Sequence, residues 1–240
     1  VEEVFLEMID SEKHAADFLV EFCRENIGEI SLITLAPLSN IATAIERDSL
    51  FPTYIKRIVS MGGCFYTFGN ITPVAGFFFF FFESLEANVY NDCFAAEIVT
   101  NAAWNDYTIT PLDVTRVSKL DLTFREKLKE LGLIGKFLFD ITEHYVNFLQ
   151  NNFGQSDIPI HDSTAVMYLI APEVFTQSII GYVDVETMGR RTQGVTVLDS
   201  KGYYKNQDNY PNNTRVILSS NEKLFKETYV DIISTIATEK

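Results

Sequence analysis

Lys56-Arg57-Ile58-Val59-Ser60-Met61-Gly62-Gly63 decides how this chain folds. A β-branched run that ends in Met-Gly-Gly is a buried strand emptying into a loop, and Gly69-Asn70-Ile71-Thr72-Pro73 then brings an amide and a hydroxyl to that loop. In an open α/β sheet, ligands bind beyond the carboxyl ends of the strands. Glu86-Ala87-Asn88-Val89-Tyr90-Asn91-Asp92 adds carboxylates and further amides. Donors and acceptors gathered in this way suit a polyhydroxylated ligand, because each neighbouring hydroxyl needs a partner.

Working outward, residues 12–25 place Ala15, Phe18, Leu19, Phe22 and Cys23 on one face at helical spacing. Ile30 to Leu35 reads as a short strand, Pro37-Leu38-Ser39-Asn40 opens a helix over Ile41 to Glu46, and Ile55 to Met61 is the next strand. A helix from Asp92 to Asn101 precedes a strand at Tyr107 to Thr110, which ends in Pro111-Leu112-Asp113. Strands and helices alternating in this manner predict a mainly parallel, Rossmann-like open sheet with helices on both faces. Helices at Leu122 to Leu131 and Ile134 to Asn151 form a helical layer, with Gly132 and Gly135 as stop signals. A further helix starts at His161-Asp162-Ser163, where Asp and Ser can cap the first turn. Strands at Ile179 to Val185 and Gly194 to Asp199 follow, with Ser200-Lys201-Gly202 as a turn.

With 240 residues and 47% hydrophobic content, the chain can bury a full core as one large α/β domain or two small ones, and the alternation of elements favours one. The formal charge of -14 argues against nucleic acid as a partner, since phosphate recognition relies on Lys and Arg. Cys23, Cys64 and Cys93 lie in or beside apolar runs without CxxC spacing, so they read as reduced thiols in a cytoplasmic protein. Asn70-Ile71-Thr72 and Asn212-Asn213-Thr214 match the glycosylation sequon, a pattern that arises often by chance. No apolar stretch is long enough to span a bilayer unbroken, so no membrane partner is expected.

Phe77 to Phe82 breaks the pattern. Six consecutive large rings fit no amphipathic element and would be an aggregation hazard if exposed. A translated pyrimidine-rich tract at the end of a retained intron also spells such a run, and sequencing the mature transcript tests that origin. The chain opens at Val1 without an initiator Met, as a fragment would.

Leu35-Ala36-Pro37-Leu38-Ser39-Asn40-Ile41-Ala42, Met61-Gly62-Gly63, Gly69-Asn70-Ile71-Thr72-Pro73, Glu86-Ala87-Asn88 with Asp92-Cys93-Phe94-Ala95-Ala96, and His161-Asp162 occur in one order. Together with Thr192-Gln193-Gly194-Val195-Thr196-Val197-Leu198-Asp199, this series resembles the inosine-uridine preferring nucleoside hydrolases from about residue 12 onward. The resemblance implies a single nucleoside hydrolase-like domain over 1–240, partial because the first strand region is missing. It implies hydrolysis of the N-glycosidic bond of ribonucleosides to ribose and free base, for nucleoside salvage, by a homo-oligomer (dimer or tetramer). It also implies a calcium ion, which takes oxygens from carboxylates, carbonyls and hydroxyls together. By the same resemblance, Asp162 supplies a calcium carboxylate and Leu35 a backbone carbonyl. Asn70, Glu86, Asn88 and Met61 correspond to ribose-binding positions, and His161 to a histidine that protonates the departing base. An unperturbed histidine, with a pKa near 6.5, could do so at neutral pH.

Three departures from the family pattern accompany this match. The family's N-terminal Asp-rich loop is absent, and Asp10 and Asp17 do not reproduce its spacing. Ten residues, Gly76 to Leu85, separate Ala75 from Glu86, which are adjacent in relatives. Cys93-Phe94 stands where relatives carry Pro-Glu. His14 and His144 read as packing or surface residues, whereas Asp113, at a strand's carboxyl end, either approaches the pocket or caps a loop. Two readings follow: a ribonucleoside hydrolase, and a catalytically inactive fragment or pseudoenzyme that keeps at most weak ribose binding. For the 240 residues as written, little or no turnover is expected, and release of base from inosine or uridine at enzyme-like rates would refute that expectation.

Overall fold

Ile58 and Val59 are neighbours in sequence, fully buried, and members of different hydrophobic clusters. Both lie on strand β2, Arg57–Met61, and successive strand residues point to opposite faces. In the computed structural model, which describes residues 13–71, 85–204 and 214–238, β2 is an inner strand of a six-stranded sheet. Its neighbours are β1 (Ser31–Thr34) and β3 (Tyr107–Thr110), both parallel to it. A two-stranded sheet of β4 (Lys119–Leu120) and β5 (Ile158–Pro159) lies apart. The large sheet continues through β8 (Thr214–Ser220), β6 (Phe175–Val185) and β7 (Thr196–Asp199) in the order β1-β2-β3-β8-β6-β7. The β3-β8 pairing is still parallel, while β6 runs antiparallel to both β8 and β7. The expected mainly parallel α/β sheet is therefore present.

On the Ile58 face lie Ala16, Val20 and Cys23 of the Ala15–Glu25 helix, Ile41 and Ala44 of the Ser39–Arg47 helix, and Val99 of the Cys93–Thr100 helix. On the other face, Val59 and Met61 pack with Leu112 and with Ala165 of the His161–Ile170 helix. Met61, the last residue of β2, is thereby turned toward the element that carries His161 and Asp162. A third cluster, with Leu120, Phe124, Leu128 and Leu149 at its centre, ties the Leu122–Lys129 and Gly132–Phe153 helices to the C-terminal Glu222–Thr238 helix.

Several local expectations change. The first helix begins at Ala15 and buries Ala16, Val20 and Cys23, while Phe18 and Phe22 stack on each other at the surface. Its buried stripe is thus rotated from the predicted one, because a short helix with apolar residues on most sides offers two possible stripes. Gly135 does not stop a helix. It is buried inside the Gly132–Phe153 helix, where a Cβ would come within 1.9 Å of the Leu128 carbonyl oxygen. Gly154, left-handed at φ 67°, closes that helix. The His161–Ile170 helix starts without a side-chain cap, Ile160 occupying the N-cap. His14 is a capping residue, its Nδ1 accepting the Ala16 N–H. Strand β8 and the C-terminal helix were not anticipated. Among the described residues no helix is long and apolar enough to cross a membrane. Phe77 to Phe82, Asp10, Thr72 of the first sequon, and Asn212 and Asn213 of the second lie outside the described residues, as does the insertion up to residue 84.

Candidate active site

The loop after β2 begins with Gly62 and Gly63, and Gly63 has φ 81°, in the left-handed region that glycine adopts without a Cβ penalty. Several polar groups of the loop are held from other segments. The Glu86 carboxylate, 2% exposed, accepts from the Gly63 N–H at 3.2 Å, the Asn88 N–H at 3.0 Å and the Val89 N–H at 3.1 Å. It thereby caps the Ala87–Asn91 helix and ties it to β2. Burial pushes its pKa up, and the backbone donors oppose that shift. Asn88 donates through Nδ2 to the Met61 carbonyl at 3.1 Å and lies 3.3 Å from the Met61 sulfur. Asn70 takes the Ala87 N–H on its Oδ1 at 2.9 Å and gives its own N–H to the Leu85 carbonyl. The two expected ribose segments therefore adjoin in space, whatever the length of chain between them.

Further anchors come from contacts that sequence reasoning did not foresee. Thr196 of β7 accepts the Cys64 N–H at 3.0 Å and donates to the Cys64 carbonyl at 2.8 Å. Asp113 accepts from Phe65 N–H at 2.9 Å and Tyr66 N–H at 2.7 Å, so of its two expected roles it fills the loop-holding one. Arg116 donates to the Gly69 carbonyl. The signals for these groups were the polar turn after β3 and the motif over 192–199, and nothing in either says that it reaches across to the loop after β2.

His161 opens the helix on the Met61 face, with Nδ1 at 2.6 Å from the Thr115 hydroxyl. Burial, followed by the nearby Arg116 guanidinium, pushes its pKa down to about 4, so the ring is neutral in neutral solution. The expectation of an unperturbed histidine does not hold. Asp162, next along the helix, has its pKa raised by partial burial. It lines a cavity of about 260 Å³ with Leu35, which follows β1, and with Val166, Ile170, Tyr229 and Ile232.

The calcium ion that the resemblance implies would need about six to eight oxygen ligands. Asp162 and Leu35 line the same cavity, but among the described residues no three His, Cys, Asp or Glu side chains gather around one point. These residues alone do not fit a complete calcium sphere.

The profile of the family described as "Inosine-uridine preferring nucleoside hydrolase" matches residues 5–227. The "Probable uridine nucleosidase 2" of Oryza sativa subsp. japonica is 36% identical over 198 residues, covering 82% of this chain and 55% of the relative. "Uridine nucleosidase 1" of Arabidopsis thaliana is 36% identical over 184 residues, covering 75% and 50% respectively. The chain spans about half the length of the curated relatives it matches. Among solved structures, the "Purine-Preferring Ribonucleoside Hydrolase from Gardnerella vaginalis" superposes with a TM-score of 0.80 at 24% identity, over 95% of this chain and 68% of that one, and so shares its fold. A profile match over residues 5–227, on a mainly parallel sheet of the same fold, places the chain in the inosine-uridine preferring nucleoside hydrolase family.

Proposed function

We propose that this chain hydrolyses the N-glycosidic bond of ribonucleosides, giving ribose and free base. The observation that carries the reading is the bonded cluster of Asn70, Glu86, Asn88 and Met61 at the carboxyl end of β2, tied to His161 through the turn after β3. Cleavage builds positive charge on the ribose ring, and carboxylates nearby favour that charge over the neutral substrate. Asn70 and Asn88 would hold the sugar hydroxyls, with Met61 packed against the ring. Glu86 would set their spacing from its buried position and lend negative potential. In the tautomer in which Thr115 donates to Nδ1, His161 carries its proton on Nε2. A neutral ring of this kind polarises the departing base as a hydrogen-bond donor.

Asp162 and the Leu35 carbonyl would be two calcium ligands, a partial set. The incomplete ligand set supports the second reading, a module that binds ribose without turnover; family membership favours hydrolysis. The names of the plant relatives make uridine the first substrate to test. Three buried free thiols support a reducing, cytoplasmic setting, and a role in nucleoside salvage accords with the reaction. A homo-oligomer is supported by an apolar stripe left exposed on the Gly132–Phe153 helix.

Release of uracil from uridine and of hypoxanthine from inosine, measured with added calcium, together with titration of ribose, tests the proposal. Release with ribose binding is the expected result. Binding without release would move the chain to the second reading, and neither binding nor release would overturn both.

A further inference from the structure

We propose that Arg116 is a positioning residue of this site, tying the loop that carries Asn70 to the turn that holds His161. The inference rests on the ribonucleoside reading above and deepens it. The Leu112–Thr115 turn follows β3, and Leu112, Val114 and Thr115 are fully buried, so its backbone is a fixed platform. Three polar side chains leave this platform for three different parts of the site. Asp113 grips the Phe65 and Tyr66 N–H groups, Thr115 meets His161 Nδ1, and Arg116 reaches the Gly69 carbonyl.

Chemistry dictates which of them can do which. A carboxylate only accepts and a guanidinium only donates, so Asp113 can hold the N–H groups at the start of the 65–69 loop and Arg116 the carbonyl at its end. Asn70 is joined to Gly69 by a peptide bond, so fixing the Gly69 carbonyl fixes the point from which the Asn70 amide leaves. That amide also has to meet the Ala87 N–H. With Arg116 removed, Asp113 still anchors residues 65 and 66, and the slack falls on residues 68–70, which end in Asn70. The defect should appear in sugar recognition rather than in folding.

The experiment uses the full chain and ribose itself as probe, read by titration calorimetry, so that no turnover is needed. Arg116→Met keeps the apolar stem and removes the donors, and Arg116→Lys restores a charged donor of different shape. Loss of the charge-assisted bond is expected to weaken ribose binding by about tenfold or more. Lys, or guanidinium ion added to the Met variant, should recover part of the loss, while the thermal midpoint of all three proteins stays close. A purely structural role would lower the midpoint and leave the affinity of the folded protein unchanged. That outcome overturns the inference, as does a Lys variant that binds no better than Met. Wild-type protein without ribose affinity would instead bring down the site reading, and this inference with it.

Discussion

Glu86 shows how a residue legible in sequence can be bonded in a way that sequence does not reveal. The motif marks it as a sugar contact, yet its two oxygens are engaged by three backbone N–H groups and it is almost entirely buried. Replacing it by Gln swaps one acceptor oxygen for an NH₂ group facing backbone donors. Glu86→Gln should cost about 1–3 kcal/mol at neutral pH, measured by urea denaturation. The wild-type pH dependence carries a distinct sign. Burial raises the folded pKa above the ordinary 4.5, so the native state holds the proton longer than the unfolded chain. The stability this group contributes is full below pH 4.5 and is lost as pH rises through its folded pKa. The Gln variant should lack that decline, and identical pH profiles for the two proteins would contradict the assignment.

At the scale of elements, strands were easier to read than helix faces. Tyr107–Thr110 has the bounds its sequence predicted, because a four-residue run between turn signals leaves no choice of register. The Ala15–Glu25 helix was found but its buried stripe was misplaced, since Phe18 and Phe22 outweigh Ala16 in hydrophobicity while the small residue is what fits beneath the neighbouring helix. Gly135 was misread for a related reason: a glycine is a helix breaker by propensity and a helix-contact residue by size. Here size decides. Gly135→Ala would drive a methyl into the Leu128 carbonyl and against Leu131, forcing the Leu122–Lys129 and Gly132–Phe153 helices apart. The expected cost is about 1–3 kcal/mol or more, seen as a lowered thermal midpoint, whereas an exposed mid-helix Gly→Ala change would stabilise. Asp92 offers a milder test. It caps the Cys93–Thr100 helix at the Ala95 N–H and accepts from the Ser39 hydroxyl, so it joins two helices. Asp92→Ala should lower stability by about 0.5–2 kcal/mol in equilibrium unfolding, and Asp92→Asn by less.

For the whole molecule, most of the sheet was legible because alternation of period two and period 3.6 is written locally, although the inner strand β8 was missed, whereas the site is assembled from segments that only the fold brings together. Met61, Asn70, Glu86 and His161 were all marked by motifs, but Thr115 and Arg116 contribute through contacts that no local pattern encodes. Surface character lies between these cases. Leu133, Phe137, Ile141, Tyr145 and Phe148 run along one side of the Gly132–Phe153 helix and stay exposed, from 84% at Leu133 to 40% at Tyr145. At a rise of 1.5 Å per residue they form a stripe about 22 Å long. Their spacing reads nearly the same in both directions about Ile141, so a second copy packed antiparallel would set Phe137 against the other copy's Tyr145 and Ile141 against its own counterpart, as a two-fold axis requires. Ile141→Glu therefore places two carboxylates at the axis. Because the residue is half-exposed in one chain, the change should alter monomer stability by no more than about 0.5 kcal/mol. Light scattering should report a multimer for the wild type and a single chain for the variant, and a variant that keeps the wild-type mass would show that the proposed homo-oligomer assembles through a different face.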